Sequence, residues 1–245
     1  MCFSAEASLG AAIVLLPAGA YCIDAAWRKD RRYLLLATVP LLFGLQQLCE
    51  SIVWVGIDHG NGRAVRAAAL AYLGFALAVW PVWIPVSLAA IEKRRSMRAV
   101  QGVVAGAGVV FAIVTSLPLA STAGGREPAI VGHSIRYDLS GVSVIHSPWW
   151  SVWLAVYLIT VSAPMMVSRN HRLRPVGVIV ILAAAVSYFA FEQAFASVWC
   201  FFAAILSLCI IRVLHLVPER EPGKSATILH PLPSTGWIVF PRIVT

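Results

Sequence analysis

Long continuous runs of apolar residues, separated by short basic segments, make up most of the chain. The run from Val176 to Val186, for example, contains no polar side chain. Strands of a membrane β-barrel would instead alternate apolar and polar positions. Because roughly 20 consecutive apolar residues span a bilayer core as an α-helix, the pattern predicts an all-α fold, a bundle of seven transmembrane helices.

The predicted spans are joined by short connections, except for one long connection at residues 118–148. The stretch 175–216 is too long for one span, so we divide it near residues 193–197. The sequence thus predicts a transmembrane domain over residues 1–217 and a Pro-rich tail over 218–245. The first five spans are predicted at residues 8–26, 33–57, 67–91, 99–117 and 149–167, and the last two within 175–216.

Basic residues are concentrated in three segments, 27–32, 92–98 and 168–174. These segments follow the first, third and fifth predicted spans, so all three lie on one side of a seven-span protein. Basic connections of multi-pass proteins face the cytoplasm. The distribution therefore predicts an N-terminus outside, a C-terminus inside and a cytoplasmic tail.

The composition excludes an ordinary soluble protein. Charged residues make up 12% of the chain, against about 25% in soluble domains, and the mean hydropathy is +0.81. The net charge of +8 would suggest nucleic acid as a partner of a soluble chain. Since the positive charges lie between apolar segments, we predict no nucleic-acid partner. The expected location is the cell membrane, in bacteria the inner membrane, with the lipid bilayer as the partner.

Two weaker patterns concern the packing of the helices. Gln46-Gln47-x-x-x-Ser51 is followed by a similar Glu192-Gln193-x-x-x-Ser197, and Pro17 and Pro164 have nearly the same offset. This indicates that spans one to three and spans five to seven are parallel repeats joined by the fourth span. Coincidence among similar helices is the alternative. In the fourth span, the spacing of Gly102 and Gly106 predicts close helix packing.

Three carboxylates fall inside the predicted spans, where an ionisable group is costly and marks a functional hypothesis by default. Asp24 has Arg28 four residues later, which indicates a structural ion pair. Glu50 and Glu192 have no basic residue within helical reach. Both lie toward the outer ends of their spans, so we expect them to share one pocket, with a break in the helix around residues 191–197.

Amides and aromatic rings accompany these carboxylates. Helical spacing places two glutamines and a tryptophan on the face of Glu50, and a glutamine and a serine follow Glu192. Buried carboxylates among such groups can carry a proton, bind a cation or act as acid and base; interhelical polar packing is the alternative. Trp80, beside a mid-span proline, would add an apolar wall. The predicted binding residues are Gln46, Gln47, Glu50, Trp54, Trp80, Glu192, Gln193 and Ser197.

A weaker pattern points to a metal. Cys2 and Glu6 lie at the outer mouth of the first span, and His133 and His146 lie in the long connection. Thiol, carboxylate and imidazole ligands suit zinc or another divalent metal, although no paired-cysteine or HExxH spacing occurs, and surface polar residues are the alternative. We expect the long connection to fold as a lid over the pocket.

Three functions remain open from the residues. The first is binding or transport of a small solute or cation through an outward-opening polar pocket. The second is a metal-dependent membrane hydrolase with an outward-facing site. The third is an accessory subunit of a larger membrane complex, with a protein partner bound by the C-terminal tail.

The opening Met1-Cys-Phe-Ser-Ala5 resembles a family of uncharacterised bacterial multi-pass membrane proteins whose members begin in this way. Gln46-Gln47-x-x-Glu50, Trp80-Pro81 and Trp199-Cys-Phe-Phe-Ala-Ala204 contribute to the resemblance, which covers residues 1 to about 216. It implies a membrane location and assigns no activity to any residue.

Overall fold

The computed structural model describes residues 4–121, 128–131, 133–137, 139, 148–190 and 194–218. Within these residues the fold is helical apart from one short hairpin. Of the helices in these described ranges, five are long and apolar enough to cross a membrane, and two more apolar helices are shorter. The predicted all-α membrane fold is thereby confirmed.

In the described part of the chain, seven apolar helices follow one another. Helix α2 starts with a 3-10 turn and has one turn residue, Thr38, between two α-helical segments. Helix α3 contains a π-helical segment, Phe75–Val79, and α7 has one turn residue, Leu208, between its two segments. The helices are α1 (Ala5–Lys29), α2 (Arg31–Asp58), α3 (Gly62–Ile91), α4 (Arg95–Ser121), α5 (Trp150–Val167), α6 (Arg174–Ala190) and α7 (Phe195–His215).

Helices α1 and α2 pack closely because glycines lie at their interface. A Cβ atom on Gly19 would lie 2.4 Å from the backbone nitrogen of Leu41, and one on Gly44 would lie 3.0 Å from the Leu16 side chain. The turn between these helices is fixed by Asp30, whose carboxylate accepts a hydrogen bond from the Arg32 backbone N–H at 3.0 Å. This pair of helices forms the scaffold that carries the candidate site.

Helix α3 approaches α4 at a proline. Pro85 has no N–H to donate to the carbonyl of Pro81 one turn earlier, and a Cβ atom on Gly108 would lie 2.0 Å from that carbonyl oxygen. Among the described residues, no heavy atom of a neighbouring element would lie within 4 Å of a Cβ atom on Gly102 or Gly106. The prediction that these two glycines mediate close packing is therefore wrong; the close contact lies farther along α4, where the proline carbonyl leaves room only for Gly108.

One end of the bundle carries the three basic connections, which we call the basic end (residues 27–32, 92–98 and 168–174). The opposite end carries an antiparallel hairpin of β1 (Ala129–Val131) and β2 (Ser134–Arg136), with Ile130 opposite Ile135. Ile135 is fully buried against side chains of α2, α3 and α7. The hairpin therefore covers the bundle at what we call the hairpin end.

Candidate functional site: a buried carboxylate below the hairpin

One face of α2 places four predicted site residues in the interior of the bundle. Gln46, Gln47, Glu50 and Trp54 are all buried, and Glu50 is only 1% exposed. They follow one another at helical spacing, so a single face of α2 carries them. A carboxylate at this depth needs hydrogen-bond donors or a cation to offset the loss of water.

Two hydroxyl groups from other helices supply hydrogen bonds to this carboxylate. Ser197 of α7 donates to Oε1 of Glu50 at 2.5 Å, and Ser8 of α1 donates to Oε2 at 3.5 Å. Nearby, the Ser51 hydroxyl donates to the carbonyl of Ala5 at 3.3 Å. Within the described residues Glu50 has no ion pair. The carboxylate thus joins three helices, and no positively charged side chain of the described residues pairs with it.

The amides beside Glu50 retain unused hydrogen-bonding capacity. The Gln47 side chain lies next to the carboxylate, yet neither its nitrogen nor its oxygen has a hydrogen-bond partner of standard geometry within the described residues. The Gln46 nitrogen and the Trp54 indole N–H are likewise buried without a partner there. Groups of this kind cost free energy unless something else binds them, which makes them candidates for ligand contacts.

Trp80 fixes one of these amides. Its indole N–H donates to Oε1 of Gln46 at 2.7 Å, and its ring stacks on Phe43 with a centroid distance of 3.8 Å. The sequence predicted an apolar wall at this position. The structure adds a polar role, because the indole orients the amide that faces the site.

The hairpin closes the site through a pair of stacked tyrosines. The rings of Tyr72 in α3 and Tyr137 after β2 lie 4.5 Å apart and nearly parallel. Tyr72 donates to the carbonyl of Ala196 at 3.1 Å, whereas the buried Tyr137 hydroxyl has no partner in the described part of the chain. Burial raises the pKa of Tyr137 well above its usual value, so this hydroxyl stays protonated and neutral.

Two small cavities flank the site on the side of α5 and α7. Their volumes are about 40 Å³ and about 70 Å³, and both are bordered by Tyr157, Trp199 and Cys200. Their walls are almost entirely apolar, and each is too small for an organic solute of drug size. Glu50 lines neither cavity and is 1% exposed, so the described conformation is closed around its carboxylate.

The arrangement can hold a proton or a hard cation. A carboxylate, two serine hydroxyls and an amide oxygen are oxygen ligands, which alkali and alkaline-earth cations prefer. No histidine or second carboxylate of the described residues contacts Glu50 in the hydrogen bonds of the structure.

Several predicted residues fall elsewhere. Glu192 and Gln193 lie outside the described residues, so the predicted pairing of Glu192 with Glu50 stays a prediction. The expected helix break around residues 191–197 falls partly on the residues outside the description, so it also stays a prediction.

The predicted metal ligands are not gathered in the part of the chain that is described. Cys2 and His146 lie outside it, and Glu6 and His133 are both exposed. Glu6 is two residues from Ser8 and so lies on a different face of α1. Among the described residues no three His, Cys, Asp or Glu side chains form a group able to hold a metal ion.

Sequence reasoning missed three residues of the site. Ser8 is the only hydroxyl of α1 between Ser4 and Tyr21, a signal that could have marked the face of α1 directed inward. Tyr72 and Tyr137 gave no such signal, because their stacking depends on how the hairpin folds back over α3. The predicted tail also remains largely outside the described residues, which end at Pro218.

Comparison with known proteins adds a family but no activity. No curated protein and no solved structure matches the chain. A family model, described as a family of unknown function (DUF6629), matches residues 1–226. All of the predicted transmembrane domain and the whole of the described site lie inside this match. The chain therefore belongs to the family of unknown function DUF6629.

Proposed function

We propose that this protein binds and carries a proton or a small cation across the membrane through the site around Glu50. The observation that carries the proposal is a carboxylate that is 1% exposed, bound by two serine hydroxyls and without an ion pair in the described residues. Ionisable residues within membrane helices often mark ion pathways and proton relays. A small solute carried together with the cation belongs to the same proposal.

The Gln47 amide, which has no hydrogen-bond partner of standard geometry within the described residues, supports this proposal. An amide oxygen beside a carboxylate adds a ligand for a cation, and an amide nitrogen stabilises the carboxylate when the cation leaves. The arrangement thus provides two alternative hydrogen-bonding states at one place. Purely structural polar contacts between helices would be expected to satisfy each buried group.

Release of an ion from this site requires movement, since the described state is closed. The stacked pair Tyr72 and Tyr137 is the contact that closes it at the hairpin end. Opening there exposes the carboxylate, and reclosure isolates it from water. Alternating exposure of a buried site is the general requirement of a secondary transporter.

The direct test measures ion flux. The full-length protein is reconstituted into liposomes, and uptake is followed under a pH gradient and under Na⁺, K⁺ or Ca²⁺ gradients. We expect flux of one of these ions with the wild type and at least a tenfold reduction with Glu50→Gln. The matched control is Asp24→Asn, which removes a carboxylate that is exposed and paired with Arg28.

Two outcomes would contradict the proposal. One is no flux of any of these ions above that of empty liposomes. The other is equal flux with the wild type and with a properly folded Glu50→Gln variant, which would assign the carboxylate to helix packing.

We further propose the N-outside, C-inside orientation in the bacterial inner membrane, with Glu50 nearer the outer surface. The gathering of the three basic connections at one end supports it. A reporter fused to the C-terminus should be active only in the cytoplasm; activity outside would reverse the orientation. The parallel repeat also stays a proposal, supported by Pro17 and Pro164 inside α1 and α5.

A further inference from the structure

The basic end contains an open cavity that is separate from the Glu50 site. Its volume is about 640 Å³, and it is bordered by segments that are far apart in sequence. Five cations and one carboxylate line it, together with apolar residues at its rim. These charged residues are Lys29, Asp30, Arg31, Arg32, Lys93 and Arg172.

Two of the cations are fixed by the C-terminal end of α7. Lys29 donates to the carbonyls of Leu214 and His215 at 3.3 and 3.1 Å, and Arg172 donates to the carbonyl of Leu216 at 3.2 Å. Carbonyls at a helix C-terminus lack partners within the helix. Each contact therefore stabilises the helix end and holds a positive charge at the wall of the cavity.

The single carboxylate of the cavity already has a partner. Asp30 is bound by the Arg32 guanidinium, with Nη2 and Oδ2 2.7 Å apart. The hydrogen bond from Arg32 holds the pKa of Asp30 below its usual value, so both groups stay charged and offset one another. The remaining cations give the cavity a net positive charge.

Two of those cations have donors left for a ligand. The guanidinium carbon of Arg31 lies 4.1 Å from the centre of the Trp27 ring, a contact with the ring face that positions the group without using its N–H donors. Lys93 makes no ion pair within the described residues. A guanidinium and an ammonium at one concave surface are the donors that bind phosphate oxygens.

We propose that this cavity binds a phosphate-bearing anion, the headgroup of an anionic phospholipid or a soluble phosphate. Its place at the ends of α1 and α3, with Ile91 and Leu216 at its border, puts it where a headgroup meets the hydrocarbon. Basic pockets between helices on the cytoplasmic side of membrane proteins bind anionic headgroups, and the proposed orientation puts the basic end on that side. Binding here links α1, α3 and the end of α7.

The test uses purified full-length protein, freed of lipid in a neutral detergent. Phosphatidylglycerol, phosphatidylcholine or inorganic phosphate is added to separate samples. The unfolding temperature of each sample is measured, and bound ligand is detected by native mass spectrometry. We expect phosphatidylglycerol or inorganic phosphate to bind and phosphatidylcholine not to. The arm that responds identifies the source of the phosphate group.

The variants distinguish binding inside the cavity from nonspecific attraction of an anion to the positive charge of the basic end. Arg31→Gln/Lys93→Gln should weaken binding at least tenfold, whereas Arg31→Lys/Lys93→Arg keeps both charges and most of the affinity. The matched control Arg94→Gln/Arg95→Gln removes two exposed charges of the same end that do not line the cavity. Equal losses in the test and control variants, or no binding by the wild type, would overturn the proposal.

Discussion

The hydroxyl of Ser197 and the carboxylate of Glu50 join α7 to α2 through a hydrogen bond of 2.5 Å between residues 147 positions apart in sequence. Ser8 is the second hydroxyl that donates to this carboxylate, over a longer distance of 3.5 Å. The strength of the Ser197 bond depends on the charge of Glu50, since a hydrogen bond to an ionised group is worth more than one to a neutral group.

Ser197→Ala should therefore destabilise the protein by about 1.5–3 kcal/mol when Glu50 is ionised. In a Glu50→Gln background the same change should cost about 1 kcal/mol or less, because the acceptor is neutral. The four proteins form a double-mutant cycle, measured by unfolding in detergent micelles. Additive effects of the two substitutions would show that the hydrogen bond contributes little.

Trp80→Phe should leave the buried Oε1 of Gln46 without a donor and destabilise the protein by about 1–3 kcal/mol. Because the ring stacking on Phe43 is largely kept, the decrease in the free energy of unfolding measures the contribution of the indole N–H. Adding Gln46→Leu removes the stranded acceptor and should recover part of the stability. A double variant less stable than Trp80→Phe alone would contradict this account.

Gly108→Ala should destabilise the contact between α3 and α4, since the added Cβ would lie 2.0 Å from the carbonyl oxygen of Pro81. Gly106→Ala is the matched control, because its Cβ would meet no heavy atom of the described part of the chain within 4 Å. Alanine also has the higher helix propensity, so we expect the control to be neutral or slightly stabilising. Thermal unfolding of both variants in micelles gives the comparison.

Tyr137→Ala should open the hairpin end, because the stacking on Tyr72 is lost. We expect faster reaction of the buried Cys200 with a small maleimide, in a variant whose other four cysteines are serine. Tyr137→Phe keeps the ring and removes a hydroxyl that has no partner in the described residues, so its reaction rate should stay near that of the starting protein. Equal rates for all three proteins would show that the hairpin does not cover the site.

Hydropathy and helical spacing were sufficient to predict the seven apolar helices and the face of α2 that carries Glu50. Both depend on local regularities, the length of an apolar run and a period of 3.6 residues. The contact of Ser8 with Glu50 and the position of Tyr137 depend on which helices are neighbours and on how the long connection folds. The lone hydroxyl of Ser8 could mark an inward face of α1, but no local pattern encodes the residue that it meets. The prediction of close packing at Gly102 and Gly106 was wrong for the same reason. Their spacing makes a close approach of two helices possible, but it does not determine which face of α4 meets a neighbouring helix.

The π-helical segment Phe75–Val79 determines the direction in which Trp80 points. In a regular helix Tyr72 and Trp80, eight positions apart, would differ by about 80° around the axis. A π-bulge adds one residue to a turn, which rotates the residues after it by about 100° in the opposite sense. The two side chains therefore leave the helix axis in directions that differ by only about 20°. Both can then reach the interior, one beneath the hairpin and one at Gln46. The number of residues in this segment therefore matters as much as which residues they are. Removing one residue would rotate Trp80, and every residue after it in α3, by more than a quarter of a turn around the helix axis.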